Sequence, residues 1–215
     1  MKRLVILFVS LCLSLGVQAQ NYDLAYNKAM EEVVGKLDSW ESTADLQVCK
    51  NTFERIAKSY NSKWLPVYYA AYCNLELVYF EKESAQNKLR LEETEIYLKS
   101  LDKIKDADMS EVENLWGYYY MCLISIDPIN MGKKLFQATI IKFENAIKLN
   151  PDNPRPIILL VFFEQNLPPF IKSKHNVSEE VKKAEELFRE ENKSIEKPYW
   201  GKSFLKMIKP STDNE

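Results

Sequence analysis

An apolar column recurs along this chain at a fixed interval. Phe53, Leu98, Phe143 and Phe188 stand 45 residues apart. Four positions before each lies a small side chain (Cys49, Thr94, Thr139, Ala184), and seven before each an apolar one (Leu46, Leu91, Phe136, Val181). Offsets of four and seven share one face of an α-helix. A second stripe fits the same frame. Tyr22, Val67, Val112 and Ile157 share one slot, Ala25, Ala70, Leu115 and Leu160 the slot three later, and Tyr26, Ala71, Trp116 and Val161 the next. Two helical stripes per period predict helix pairs that bury their stripes against each other and against the next pair.

The frame predicts first helices over 22–38, 65–81, 110–126 and 155–166 and second helices over 42–60, 86–105, 131–149 and 178–193. A short helix over 199–208 would cover the open end of the stack. The expected fold is all-α, a right-handed stack of about four antiparallel helix hairpins plus that cap. Punctuation agrees: glycine is scarce at five residues, and Pro128, Pro151, Pro154, Pro156 and Pro198 fall where helices should begin or end. Ser110 with Glu113 has capping-box spacing, and Ser178 before Glu180 and Val181 is a second start signal. The far sides of the second helices carry charges of mixed sign, the mark of a solvated face. One segment interrupts the pattern. Residues 164–176 contain the adjacent Pro168 and Pro169, which no helix continues through. It reads as a loop inserted between the last two paired helices, either a connector or a place for binding groups.

The first 19 residues stand outside this frame. Lys2 and Arg3, the apolar run from Leu4 to Leu15 and the small-x-small Val17-Gln18-Ala19 follow the order of a secretory signal peptide, with cleavage expected after Ala19. Residues 20–215 then form a single helical repeat domain, with 210–215 a disordered tail and a periplasmic or secreted location. No later stretch is long and apolar enough to span a bilayer. The net charge is −2, and loss of Lys2 and Arg3 leaves 27 basic against 31 acidic side chains. No basic block exists to bind nucleic acid. Three cysteines remain, Cys49, Cys73 and Cys122. They read as small buried hydrophobes, with a Cys73–Cys122 bridge as the alternative that an oxidising compartment permits.

Residues 139–156 resemble the second helix and exit turn of a tetratricopeptide repeat (TPR). The family's small-x3-Phe-x2-Ala-x4-Pro pattern falls on Thr139, Phe143, Ala146 and Pro151. Trp116-Gly117-x-x-Tyr120 and Trp200-Gly201-x-x-Phe204 are similar to the first-helix element of that family. Trp64 to Ala71 and Tyr199 to Gly201 also look like small exported TPR-like proteins of Gram-negative bacteria. That resemblance implies stacked helix hairpins with a concave face, and no defined activity. The period of 45 exceeds the family's usual length of about 34.

No constellation for catalysis is found. The one histidine, His175, lacks partners at metal-ligand spacing, and neither a nucleophile elbow nor a glycine-rich phosphate loop occurs. No cofactor and no enzymatic activity are expected. Aromatic surface is the remaining signal. Consecutive tyrosines at 68–69 and 118–120 cannot all face one way on a helix. Tyr69, Tyr72, Asn74, Tyr119 and Tyr120 are therefore the expected lining of a concave groove that takes a peptide or partner protein. The alternative is a soluble receptor for a small ligand, a glycan or lipid, held between that groove and the loop at 164–176.

Overall fold

A computed structural model describes residues 22–168, 171 and 175–208. The expected leader with its cleavage after Ala19, and the tail at 210–215, lie outside the described residues. Every described element is helical. Helix α1 spans 22–38, α2 Thr43–Ser59, α3 Leu65–Phe80, α4 Asn87–Leu101, α5 Met109–Ile126, α6 Pro128–Leu149, α7 Pro154–Gln165 and α8 Val177–Glu190. A 3-10 helix, Lys202–Met207, follows. None of these is long and apolar enough to cross a membrane.

The apolar column does what its spacing implied. Phe53, Leu98, Phe143 and Phe188 are all buried, on α2, α4, α6 and α8, with Cys49, Thr94, Thr139 and Ala184 buried one turn before them. Helix α3 packs on α2 and α4, α5 on α4 and α6, and α7 on α6 and α8, while α3, α5 and α7 also touch in series. The outer helices thus present one stripe inward, whereas α3 and α7 are apolar nearly all round and lie between neighbours. Polar bridges tie successive pairs together at the same interval. Lys50 to Glu93, Tyr118 to Glu76, Tyr68 to Glu111 and Arg155 to Glu111 join residues 42 to 44 apart.

Local signals placed the helix starts to within a turn, with two corrections. Helix α5 is capped by Asp108, whose carboxylate accepts from the amides of Ser110 and Glu111. Ser110 is buried instead and donates to the carbonyl of Ala146, and Glu113 pairs with Lys142, so neither builds the expected capping box. Helix α8 is capped by Asn176 rather than Ser178. The three cysteines are free and buried, so the Cys73–Cys122 bridge does not form.

Gly117 shows why the Trp116-Gly117-x-x-Tyr120 element carries glycine mid-helix. A β-carbon there would stand 2.5 Å from a ring carbon of Phe143, itself fully buried. Gly117→Ala should therefore destabilise by about 1–3 kcal/mol through overpacking, despite alanine's better helix propensity. Urea denaturation checks this, and unchanged or raised stability would mean that the Phe143 ring moves aside freely.

Candidate functional site

The 3-10 helix after α8 packs on α7 and α8, the last pair, and the chain leading to it does more than cover that end. It runs back as a strap over the inner aromatic face of α3, α5 and α7. Glycine at position 201 (φ 100°) turns the chain where a side chain would be strained. The Trp200 ring stacks on Tyr72, 4.2 Å between centroids, and its Nε1 donates to the Tyr68 hydroxyl at 2.8 Å. The amide of Tyr199 donates to the Tyr69 hydroxyl at 2.9 Å. Phe204 meets Tyr118 and Phe162 edge-on, and the Tyr79 hydroxyl reaches the Met207 sulfur.

Arg155 at the start of α7 fastens this strap. Its Nε donates to Glu111 at 2.8 Å, and its Nη1 to Glu191 at 2.7 Å and to the Trp200 carbonyl at 3.3 Å. Glu111 also accepts from the Tyr68 hydroxyl and from Asn153. Burial alone would lower the Arg155 pKa. The negative charge of Glu111 and Glu191 outweighs burial, and the guanidinium keeps its proton.

The five groove residues do not form one open surface. Tyr69 and Tyr72 lie on the inner face but are buried beneath the strap. Asn74 is buried against α4, where its Nδ2 donates to the Arg90 carbonyl and to Glu93. Tyr119 is buried, packs on Trp116 and feels the charges of Glu95 and Glu92 on α4. Tyr120 is half-buried beside it. The residue of that trio on the inner face is Tyr118.

An opening does exist, next to the strap. A cavity of about 680 Å³ lies between α3, α5, the start of α6 and the end of α7. Loop 164–176 closes one side with Leu167, Pro168 and Ile171. Aromatic rings dominate the interior: Tyr79, Tyr118, Phe136, Phe162 and Phe163. Met121 and Cys122 add sulfur, and the exposed Lys82 and Lys133 stand among the lining residues at its edge. Lys82 Nζ lies 5.4 Å from the centre of the Tyr79 ring. The volume falls inside the usual span of small-molecule sites, roughly 300–1,000 Å³.

The cavity's donors are held in their protonated forms. Burial pushes the Cys122 thiol and the Tyr118 phenol well up, and raises Tyr79 as well. Behind the wall, Glu76 is buried and accepts from the Tyr118 hydroxyl at 2.8 Å. Loss of solvent pushes its carboxyl up to about 7, with the Tyr118 and Tyr72 hydroxyls pulling the other way. His175 lies within the loop, its Nδ1 3.0 Å from Glu164.

A solved structure shares this fold. It is the HusA haemophore from Porphyromonas gingivalis, 23% identical, aligned over 88% of this chain and 96% of its own, with a TM-score of 0.74. No family model and no curated protein matches the chain. The structural likeness is one of helical architecture. The cavity-lining residues were legible only in part. Tyr79 and Tyr118 stood out as tyrosines and the loop by its prolines, whereas Lys82, Lys133, Phe136 and Phe162 look like ordinary residues of three separate segments.

Proposed function

We propose that this chain is an exported, non-catalytic carrier that holds a flat, apolar, carboxylate-bearing molecule of the porphyrin class in the cavity between α3, α5, α6 and α7. The helix pairs are four TPR-like units, and the cavity is what this stack was built to frame. The observation that carries this reading is the cavity itself: aromatic walls suited to a planar ring, with two lysines at the edge suited to its carboxylates. The similar solved structure is that of a haemophore, which favours the same ligand class. This is the small-ligand alternative foreseen beside the loop at 164–176, with a porphyrin in place of a glycan or lipid. The protein-partner reading is weaker, because Tyr69 and Tyr72 face the chain's own strap.

Grip in such a site comes from ring contact and from the lysines. The thiol and phenols are protonated, so none is a ready anionic ligand for iron. Haem and iron-free protoporphyrin should then bind comparably, each with one-to-one quenching of tryptophan fluorescence. Saturation at 100 times the dissociation constant should add about 2.7 kcal/mol of stability. Lys82→Glu with Lys133→Glu should weaken both about tenfold, the sum of two exposed charge reversals each worth on the order of 0.7 kcal/mol. Failure of either porphyrin to bind, or affinity indifferent to the double reversal, would sink the assignment.

A further inference from the structure

Among the described residues, Glu76 joins no ion pair and no cation is among the groups that act on it. The groups that act on its carboxylate, besides burial, are the hydroxyls of Tyr118 and Tyr72. Its own helix contributes Tyr72, Cys73 and Tyr79 to its surroundings, and α5 contributes Tyr118 and Cys122. From α2, Cys49 and Lys50 act on Cys73. Lys82, at the cavity edge, acts on Cys122. The strap brings the rings of Trp200 and Phe204, which carry no charge. On α7, Glu164 is paired with His175 across the loop.

The position of this carboxyl matters more than its burial. Tyr118 is at once its hydrogen-bond donor and a wall of the cavity. One aromatic ring therefore stands between Glu76 and the cavity, and because both side chains are buried, a charge on one side is weakly screened from a charge on the other. Resting on the cavity being the binding site, we propose that Glu76 links occupancy to pH: an anionic ligand enters together with a proton taken up by Glu76, so the site binds more tightly as the medium becomes more acidic.

The sign follows from linkage. A negative ligand disfavours the ionised carboxylate, so the bound protein holds a proton that the free protein has released at higher pH. Burial already sets the free carboxyl near 7, which places the effect across neutral pH. A haem carrier so wired would hold its cargo in acid surroundings and loosen it in alkaline ones. A ligand without charge would show little of this.

The test uses the full mature chain, with iron-free protoporphyrin and its uncharged dimethyl ester as probes between pH 6 and 8.5. Affinity for the acid should fall roughly tenfold over that range, the scale of two charges about 10 Å apart at an effective dielectric near 20. Affinity for the ester should stay flat. Glu76→Gln, which keeps a hydrogen-bonding partner for both tyrosines, should bind the acid at every pH as tightly as the unaltered chain does at pH 6. His175→Asn should leave the slope in place. Calorimetry of the unaltered chain in two buffers of different ionisation heat gives proton uptake directly and needs no variant. Tight binding with no slope and no proton uptake would overturn the linkage and leave the cavity assignment standing. So would a slope that survives Glu76→Gln. Binding of neither probe at any pH would overturn both.

Discussion

Arg155→Ala should cost about 3–5 kcal/mol, the loss typical of breaking a buried pair by removing one partner. The guanidinium is buried and bonds three groups from three parts of the chain: Glu111 of α5, Glu191 after α8 and the Trp200 carbonyl. Its removal leaves Glu111 buried with Tyr68 and Asn153 as its remaining partners, and neither carries a positive charge. Burial already raises the Glu111 pKa, and loss of the Arg155 charge should raise it further. Urea denaturation at pH 7 measures the loss, and trypsin cleavage at Lys202 reports whether the strap has come free. Arg155→Met combined with Glu111→Leu should recover much of the stability, since matched apolar side chains often replace a buried ion pair at little cost. A loss below about 1 kcal/mol for Arg155→Ala would show that water reaches Glu111 and that the strap is held by its aromatic contacts alone.

The helices were legible because their signal is local. Phe143, Ala146 and Thr139 lie within two turns of one helix, and whatever packs on them, their spacing says that something does. The groove was not legible, because burial of Tyr69 and Tyr72 depends on residues 130 positions away. An apolar helix face looks the same in sequence whether a partner or the chain's own end covers it. The Tyr199-Trp200-Gly201 element was visible as a motif, yet its place over the inner face needs the left-handed turn at Gly201 and the Arg155 clamp, neither of which has a periodic signature. Tyr118 and Tyr119 illustrate the same limit at the scale of one residue. Neighbours on a helix point about 100° apart, and only the fold decides that Tyr118 faces the cavity and Tyr119 faces α4. The cavity is formed by four segments that are each ordinary, so its chemistry appears when they meet. Its loop was the exception, since two adjacent prolines mark an irregular wall wherever they fall.

Trp200→Ala should also cost about 3–5 kcal/mol, the usual toll of truncating a large buried aromatic side chain. The ring covers Tyr72 and lies near Tyr118, and its nitrogen donates to Tyr68. Truncation leaves an aromatic face uncovered and one acceptor unpaired. The Arg155 bond to the backbone carbonyl at 200 survives the change, so this variant tests packing where Arg155→Ala tests charge. Both substitutions loosen the same strap, and their combined loss should be smaller than the two added together. The experiment also decides what the strap is. A strap that belongs to the core takes stability with it, and Tyr72 becomes open to nitration only in the variant. A detachable cover would instead leave denaturation almost unchanged, with Tyr72 nitrated in the parent chain as well. That second outcome would return Tyr69 and Tyr72 to the role of a groove that opens for a partner, at the expense of the cavity as the principal site.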